Sequence, residues 1–327
     1  MAGNHRNGTA VVTGGAGAVG SELVRALVKR GEAVRVIDDL SSGRREHLAE
    51  PVRSGRCTLI VADVRNPEEY ERALGGAGAL WHLAANTDIR KGSADPRLDF
   101  EQGTVATYRL LEAARRHDVP RVLYASSSVV YGFPTVFPTP EEYGPLEPQS
   151  LYASSKLAGE ALCSGYAHSY GLRCGIFRFA NIIGPGMTHG VLVDFFDKLR
   201  QDPTRLEVLG DGRQAKSYLR TEDCVEGMLL VAERDRSPVA VYNLGTRDRL
   251  SVRAIAEKVV AAHGGRAEIV YTGGERGWVG DVPQQLLAID KIERLGWSPR
   301  HSSETAVDRT IREMSEALPR RAGAGAV

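Results

Sequence analysis

Apolar positions along the first half of the chain follow two alternating rhythms. Short continuous runs, AVVTG (10–14), AVRVID (33–38), CTLIVAD (57–63), ALWHLAA (79–85), RVLYASS (121–127) and CGIFRFAN (174–181), are rich in β-branched residues and read as strands. Between them, SELVRALVKRG (21–31), DFEQGTVATYRLLEAARRH (99–117) and LYASSKLAGEALCSGYAHSYG (151–171) repeat their apolar residues at helical spacing, the first and last closing on a glycine. Strands with no polar alternation are buried on both faces. Alternating with helices, they predict an α/β fold, a doubly wound parallel sheet covered on both sides. A Pro-rich loop (133–148) interrupts the series.

After Pro185 the rhythm breaks. A helix, VLVDFFDKLRQ (191–201), is followed by short loop-rich pieces and by helices near 222–234, 251–263 and 303–317. We expect residues 9–181, with a later segment at about 218–245, to form the larger domain. Residues 182–217 and 246–317 then form a smaller, mostly C-terminal α/β domain, with a cleft between the two. Residues 1–8 and 318–327 read as flexible tails, too poor in apolar surface to order themselves.

Composition changes this picture little. The 327 residues suffice for two interleaved domains, and 42% hydrophobic with 25% charged residues is an ordinary globular balance. A net charge of +1 gives no reason to expect nucleic acid or a membrane surface. Cys57, Cys163, Cys174 and Cys224 lack C-x-x-C spacing and read as reduced core residues, with no metal site implied. No run approaches the roughly 18 apolar residues of a membrane span, and the N-terminal MAGNHRNGTA has no secretory character, so a cytoplasmic protein is expected.

Chemistry enters at VVTGGAGAVGS. Gly14, Gly17 and Gly20 fall between the first strand and the first helix, where a pyrophosphate must approach backbone amides closely. The helix start then offers N–H donors and the positive end of its dipole. Asp38, 18 residues beyond Gly20 at the end of the second strand, suits a ribose hydroxyl and repels a 2′-phosphate, which favours NAD over NADP. Arg44 and Arg45 read as solvated loop charges, and Asp63, ending the third strand, as an adenine contact. Further along, Tyr152 and Lys156 are four apart on one helix and share a face. A lysine ammonium there is expected to lower the phenol's pKa and make it a general base near neutral pH. The preceding strand ends in Ser126, Ser127 and Ser128, hydroxyls at the mouth of the crevice.

Together TGGAGAVGS, DDLSSGRRE, HLAANTDIR, ASSSVVYG, YASSK, RFANIIGP, LGDGRQAKSYL and RGWVGDVP resemble extended short-chain dehydrogenases/reductases over residues 9–315. Within that NAD-dependent epimerase/dehydratase family the chain most resembles the UDP-glucose 4-epimerase group, especially its archaeal-type branch. The resemblance implies a Rossmann-type cofactor domain and makes Ser127 the catalytic hydroxyl, Tyr152 the base and Lys156 its partner. It implies that NAD contacts Gly14, Gly17, Ala18, Val19, Gly20, Asp38, Asp39, Ser41, Ser42, Gly43, Asp63, Val64, Leu83, Ala84, Ala85, Ser126, Tyr152, Lys156 and Phe179. The UDP-sugar would meet Ser128, Arg90, Asn181, Lys216, Tyr218, Arg276, Asp281 and Gln285.

Departures narrow the reaction. Relatives that dehydrate at carbons 5 and 6 carry Asp-Glu after the catalytic hydroxyl, and relatives that decarboxylate a uronic acid carry Glu at the position of Val129; this chain has Ser128-Val129. Asn181 matches hexose epimerases, where uronate epimerases often carry threonine. Lys216 stands where relatives usually have arginine, and a lysine holds phosphate without the bidentate fork. Two extra residues separate Arg276 from Asp281, and Trp278 within them is expected to pack in a core or interface. Gln285, four after Asp281, stands where the epimerases carry the residue beside the sugar's C2 substituent. The expected activity is 4-epimerisation of UDP-glucose/UDP-galactose through a 4-keto intermediate. The alternatives are a UDP-glucuronic acid 4-epimerase, with Arg90, Lys91 or Ser128 near the carboxylate, another nucleotide-sugar oxidoreductase, and a non-catalytic NAD-binding regulator. Leu110, Leu111, Leu157, Leu162 and Tyr166 suggest a second apolar stripe on helices 99–117 and 151–171, which relatives use in a symmetric homodimer.

Overall fold

The computed structural model describes residues 8–86, 89–278 and 280–317; the side chains of Ile89, Arg90 and Ser93 lie outside the described part. The predicted tails fall outside it too, apart from Gly8. Strands β1 (Thr9–Thr13), β2 (Val34–Asp38), β3 (Cys57–Val61), β4 (Ala77–His82), β5 (Arg121–Ser127) and β6 (Arg173–Phe179) follow the six apolar runs. Next come β7 (Asn181–Ile183), β8 (Arg205–Val208), β9 (Ala215–Lys216), β10 (Tyr218–Arg220), β11 (Val239–Leu244), β12 (Leu250–Ser251) and β13 (Glu268–Tyr271). One seven-stranded sheet has the order β11-β6-β5-β4-β1-β2-β3, with each neighbouring pair parallel. The chain therefore winds one way from β1 to β3 and the other way from β4 outward. That reversal opens a crevice above the carboxyl ends of β1 and β4.

Each face of the sheet is sealed by its own core. Leu23, Val24 and Leu27 of the helix Ala18–Lys29 pack with Met228 and Val231 of the helix Thr221–Arg234 on one side. On the other, Leu110 and Leu111 join Cys163, Tyr166 and Ile176. At about 1.5–3 kcal/mol for each large apolar side chain removed from water, these two layers are the main stabilising contribution. A third cluster, with Phe195, Phe196, Leu206, Val208, Ile255, Val259, Val307 and Ile311, holds the region after β7, where β7 pairs with β10, β8 with β13 and β9 with β12.

Two expectations need correction. The helix 99–117 is a composite: Pro96–Asp99, a π-helical turn Phe100–Val105, then Ala106–Arg116. The wider turn lets this segment lie against the helix Leu151–Tyr170, where a Cβ on Gly103 would sit 2.4 Å from Ser155 Oγ. The apolar stripe expected to be spare is not spare. Leu110, Leu111 and Tyr166 are buried in their own chain's core, Leu162 packs against it, and Leu157 packs against a smaller cluster with Val130, Tyr131 and Leu287. Among the described residues, Phe100, Tyr108 and Tyr170 are the exposed large apolar side chains on these helices, with Leu151 at the start of the second. All four cysteines are buried. Among the described residues no helix is long and apolar enough to cross a membrane.

Candidate active site

Above the crevice, the end of β1 turns sharply into the helix Ala18–Lys29. Gly14 has φ 69°, and a Cβ there would lie 2.7 Å from Ala84 N; one on Gly20 would lie 2.1 Å from Gly14 O. Only glycine permits this closeness of turn, helix and β4. The helix begins at Gly17 with no side-chain cap, so its first N–H groups remain open to an anion. A cleft with about 870 Å³ of empty space runs from here. Its walls include Gly14, Gly17, Ala18, Val19, Gly20, Asp38, Asp39, Ser41, Ser42, Gly43, Asp63, Val64, Leu83, Ala84 and Ala85. Gln102, from the π-helical turn, and His189, from the loop after β7, line it as well, and both escaped sequence reasoning.

The acidic groups of this wall are already engaged. Asp38, buried, accepts from Ala16 N at 2.8 Å and Leu40 N at 2.9 Å, so one carboxylate ties the glycine turn to the end of β2. Burial raises its pKa against the pull of those two N–H groups. Asp39 accepts from Ser41 N and Oγ. Asp63 is gripped by Arg65 through two guanidinium nitrogens, which lowers its pKa. Arg44 and Arg45 are exposed and outside the cleft wall. A glycine cradle that a Cβ would fill, open helix N–H groups and a carboxylate at the end of β2 fit NAD.

At the carboxyl end of β5, side chains alternate. Ser126 turns inward, where its hydroxyl donates to Glu160 Oε1 at 2.5 Å, so it is spent in the core and does not face the cleft. Ser127 faces the opposite way and caps the turn Ser128–Tyr131. Phe179 lies off the cleft wall as well, stacked on Phe177. Tyr152 and Lys156 emerge from the first turns of the helix Leu151–Tyr170, started by the Ser150 cap. Lys156 Nζ donates to Ala125 O at 2.7 Å and lies 5.8 Å from the Tyr152 ring centre.

The expected lowering of the tyrosine pKa is not found. Burial pushes the Tyr152 phenol up to about 12, the Asp99 charge adds to the rise, and the Ser127 hydroxyl opposes it. Lys156 is itself pushed down to about 8, first by burial, with Asp99 and Glu160 holding it up. Desolvation is the largest cause of both shifts, and the ammonium gives one of its three N–H donors to a backbone carbonyl.

Gln285 Nε2 donates to Ser128 Oγ at 2.8 Å, while Gln285 Oε1 accepts from Ser217 N at 3.0 Å and Asn181 Nδ2 at 3.4 Å. Ser128, Asn181 and Gln285 thus form one uncharged cluster beside Ser127. Gln284 points elsewhere, to Arg213 O and Arg249. Lys216 and Asp281 are paired with each other at 2.6 Å, and Asp281 also accepts from Gly277 N. Arg276 is not part of that pair; its guanidinium lies 4.5 Å from the ring centre of Phe133. Trp278 does not pack into the core: it is exposed and lies 5.2 Å from Lys216 Nζ. Tyr218 is buried in the third core. The Arg90 side chain lies outside the described residues. Lys91 is exposed.

The model of the NAD dependent epimerase/dehydratase family matches residues 10–245. The UDP-glucose 4-epimerase of Mycolicibacterium smegmatis is 31% identical over 316 residues, covering 92% of this chain and 96% of its own. Among solved structures, a UDP-galactose 4-epimerase superposes with a TM-score of 0.85 at 40% identity, covering 95% of this chain and 99% of that one. The Thermus thermophilus UDP-glucose 4-epimerase complexed with NAD superposes with a TM-score of 0.83 at 30% identity, covering 95% and 100%. By the extent of the family match and the full-length kinship with these proteins, the chain belongs to the NAD-dependent epimerase/dehydratase family, with NAD as its cofactor.

Proposed function

We propose that this enzyme inverts carbon 4 of a UDP-hexose, UDP-glucose or UDP-galactose. The carrying observation is that Ser128, next to Ser127, joins Asn181 and Gln285 in one neutral cluster, with Val129 where an acid would be needed for decarboxylation. Hydroxyls and amides of that kind suit a neutral sugar better than a uronate. When bound, NAD supplies the reversible acceptor for the C4 hydride.

Tyr152 removes the proton from the sugar 4-hydroxyl and returns it to the 4-keto sugar once the opposite face is presented. A phenol with a pKa near 12 gives up its proton only when positive charge is close by, and Lys156 is the resident source. Ser127 shares the hydroxyl's proton with Tyr152 and orients it. At the nucleotide end, Lys216 leaves Asp281 to meet the diphosphate, which frees Asp281 for the ribose; Arg276 adds a second cation. The test is incubation of the purified enzyme with UDP-glucose, UDP-galactose, their N-acetyl forms and UDP-glucuronic acid, the products being resolved by NMR. Interconversion of the two hexoses supports the reading. Turnover of the uronate in preference to both overturns it.

A further inference from the structure

Behind Tyr152 and Lys156 lies a carboxylate that neither the cleft wall nor the sugar-side cluster uses. Asp99 ends the helix Pro96–Asp99, where the chain enters the π-helical turn, and is 1% exposed. Its Oδ1 accepts from Asn86 Nδ2 at 2.9 Å, and its Oδ2 is buried with no hydrogen-bond partner among the described residues. A Cβ on Gly92 would meet that oxygen at 1.9 Å, so the seat is fitted closely around the carboxylate. The segment that carries it packs against the helix of Tyr152 and Lys156. A buried carboxylate in this state calls for a nearby cation. Burial raises the Asp99 pKa, the Asn86 amide opposes that rise, and Lys156, itself 4% exposed, is the cation whose field opposes it too. The other carboxylate near Lys156 is Glu160, and its charge is already taken by two nitrogens of Arg178 and by Ser126 Oγ.

We propose that Asp99 is a positioning residue for Tyr152 and Lys156, the buried counter-charge that keeps Lys156 an ammonium beside the tyrosine. The inference rests on the reading of Tyr152 as the base. The groups facing the lysine are Asp99, Glu160, the Cys163 thiol on its own helix, the Tyr124 ring at 5.1 Å and His82. His82 stays neutral, because burial holds its pKa down to about 3. Those facing the tyrosine are Asp99, Tyr124 and Ser127. A negative charge makes both Lys156 and Tyr152 hold their protons to higher pH, so removing it must move both titrations the same way.

The experiment is NMR of the NAD-loaded enzyme with lysine labelled at its ε carbon, the Lys156 signal being assigned by its loss in Lys156→Met. The Lys156 midpoint in Asp99→Asn should fall by roughly 1 pH unit, and both limbs of the kcat/KM profile should move together to lower pH. Asp99→Glu, which keeps the charge, should hold the midpoint at the wild-type value. An unchanged midpoint with merely reduced activity overturns the proposal and leaves Asp99 a packing residue. If Asp99→Asn does not fold, the reciprocal measurement decides: the Asp99 carboxyl signal should titrate at higher pH in Lys156→Met than in wild type, and equal midpoints overturn the idea. These titrations need no substrate, so they stand or fall separately from the choice of UDP-hexose.

Discussion

Gln285 offers the sharpest division between a structural and a selective role, and two substitutions separate them. Gln285→Leu keeps nearly the same volume and removes the amide. Ser217, whose N–H the amide oxygen accepts at 3.0 Å, is 0% exposed, so that donor finds no water. An orphaned buried donor costs about 1–3 kcal/mol. Ser128 can turn its hydroxyl elsewhere, and Asn181 keeps Ser217 O at 3.1 Å, so the loss should stay near that figure. Gln285→Tyr loses the same bonds and adds a ring to a site 6% exposed. If this side chain walls the space beside the sugar's C2 substituent, the ring should cost 2-acetamido substrates roughly 1 kcal/mol or more in the transition state, about fivefold in specificity. The assay is kcat/KM for UDP-galactose and UDP-N-acetylgalactosamine in wild type and both variants, with thermal melts alongside. Both melts should fall, and the substrate ratio should change chiefly in Gln285→Tyr. A ratio equal in all three proteins, with the melts lowered, would show that Gln285 is only a clasp joining Ser217 and Asn181 to the Ser128 turn.

Other expectations follow from the same geometry. Tyr152→Phe should lose at least about a hundredfold in turnover while retaining NAD; near-wild-type turnover removes Tyr152 as the base. Denatured enzyme should release NAD, and NADP should not replace it, because Asp38 sits buried at the end of β2; recovery of NADP contradicts this. With Phe100, Tyr108, Leu151 and Tyr170 still exposed on the two helices, light scattering at micromolar concentration should give twice the chain mass of 35.4 kDa, and a mass equal to one chain excludes a stable dimer. Lys156 is held down to about 8 from its ordinary 10.5, so between those pH values the unfolded chain binds more protons and this group's contribution to stability rises with pH. The difference in urea midpoint between wild type and Lys156→Met should therefore move in wild type's favour from pH 8 to pH 10; a constant difference refutes the depressed lysine.

The glycine turn, Asp38 and the strand ends that wall the cleft are legible because each follows from local rules: a tight turn, a strand end, a period. What escapes depends on partners distant in sequence. Ser126 and Ser127 look alike in the chain, but strand alternation sends one to Glu160 and the other to Tyr152 and the Ser128–Tyr131 turn. Lys216 and Asp281, 65 residues apart, look in the sequence like two ligands for one substrate and are each other's partner. Gln102 reaches the cleft because of a π-helical turn that no periodicity announces. Helical spacing finds the apolar faces of the two long helices but cannot tell burial in the same chain from burial against a copy. The sign of the Tyr152 shift eludes the sequence because spacing reveals a charged neighbour and says nothing of how much water both groups have lost.

β11, the edge strand beside β6, is drawn from residues 239–244, long after β6 ends at Phe179. During synthesis every residue lining the cofactor cleft has been made by His189, yet the β6 edge is still bare. A nascent chain at that stage carries a row of unpaired backbone N–H and C=O groups that another chain can zip onto. The lining of the cofactor cleft and the strand that protects the sheet edge are thus completed at different moments of translation, and a chain cut between residues 190 and 238 holds the lining residues while its β6 edge stays open.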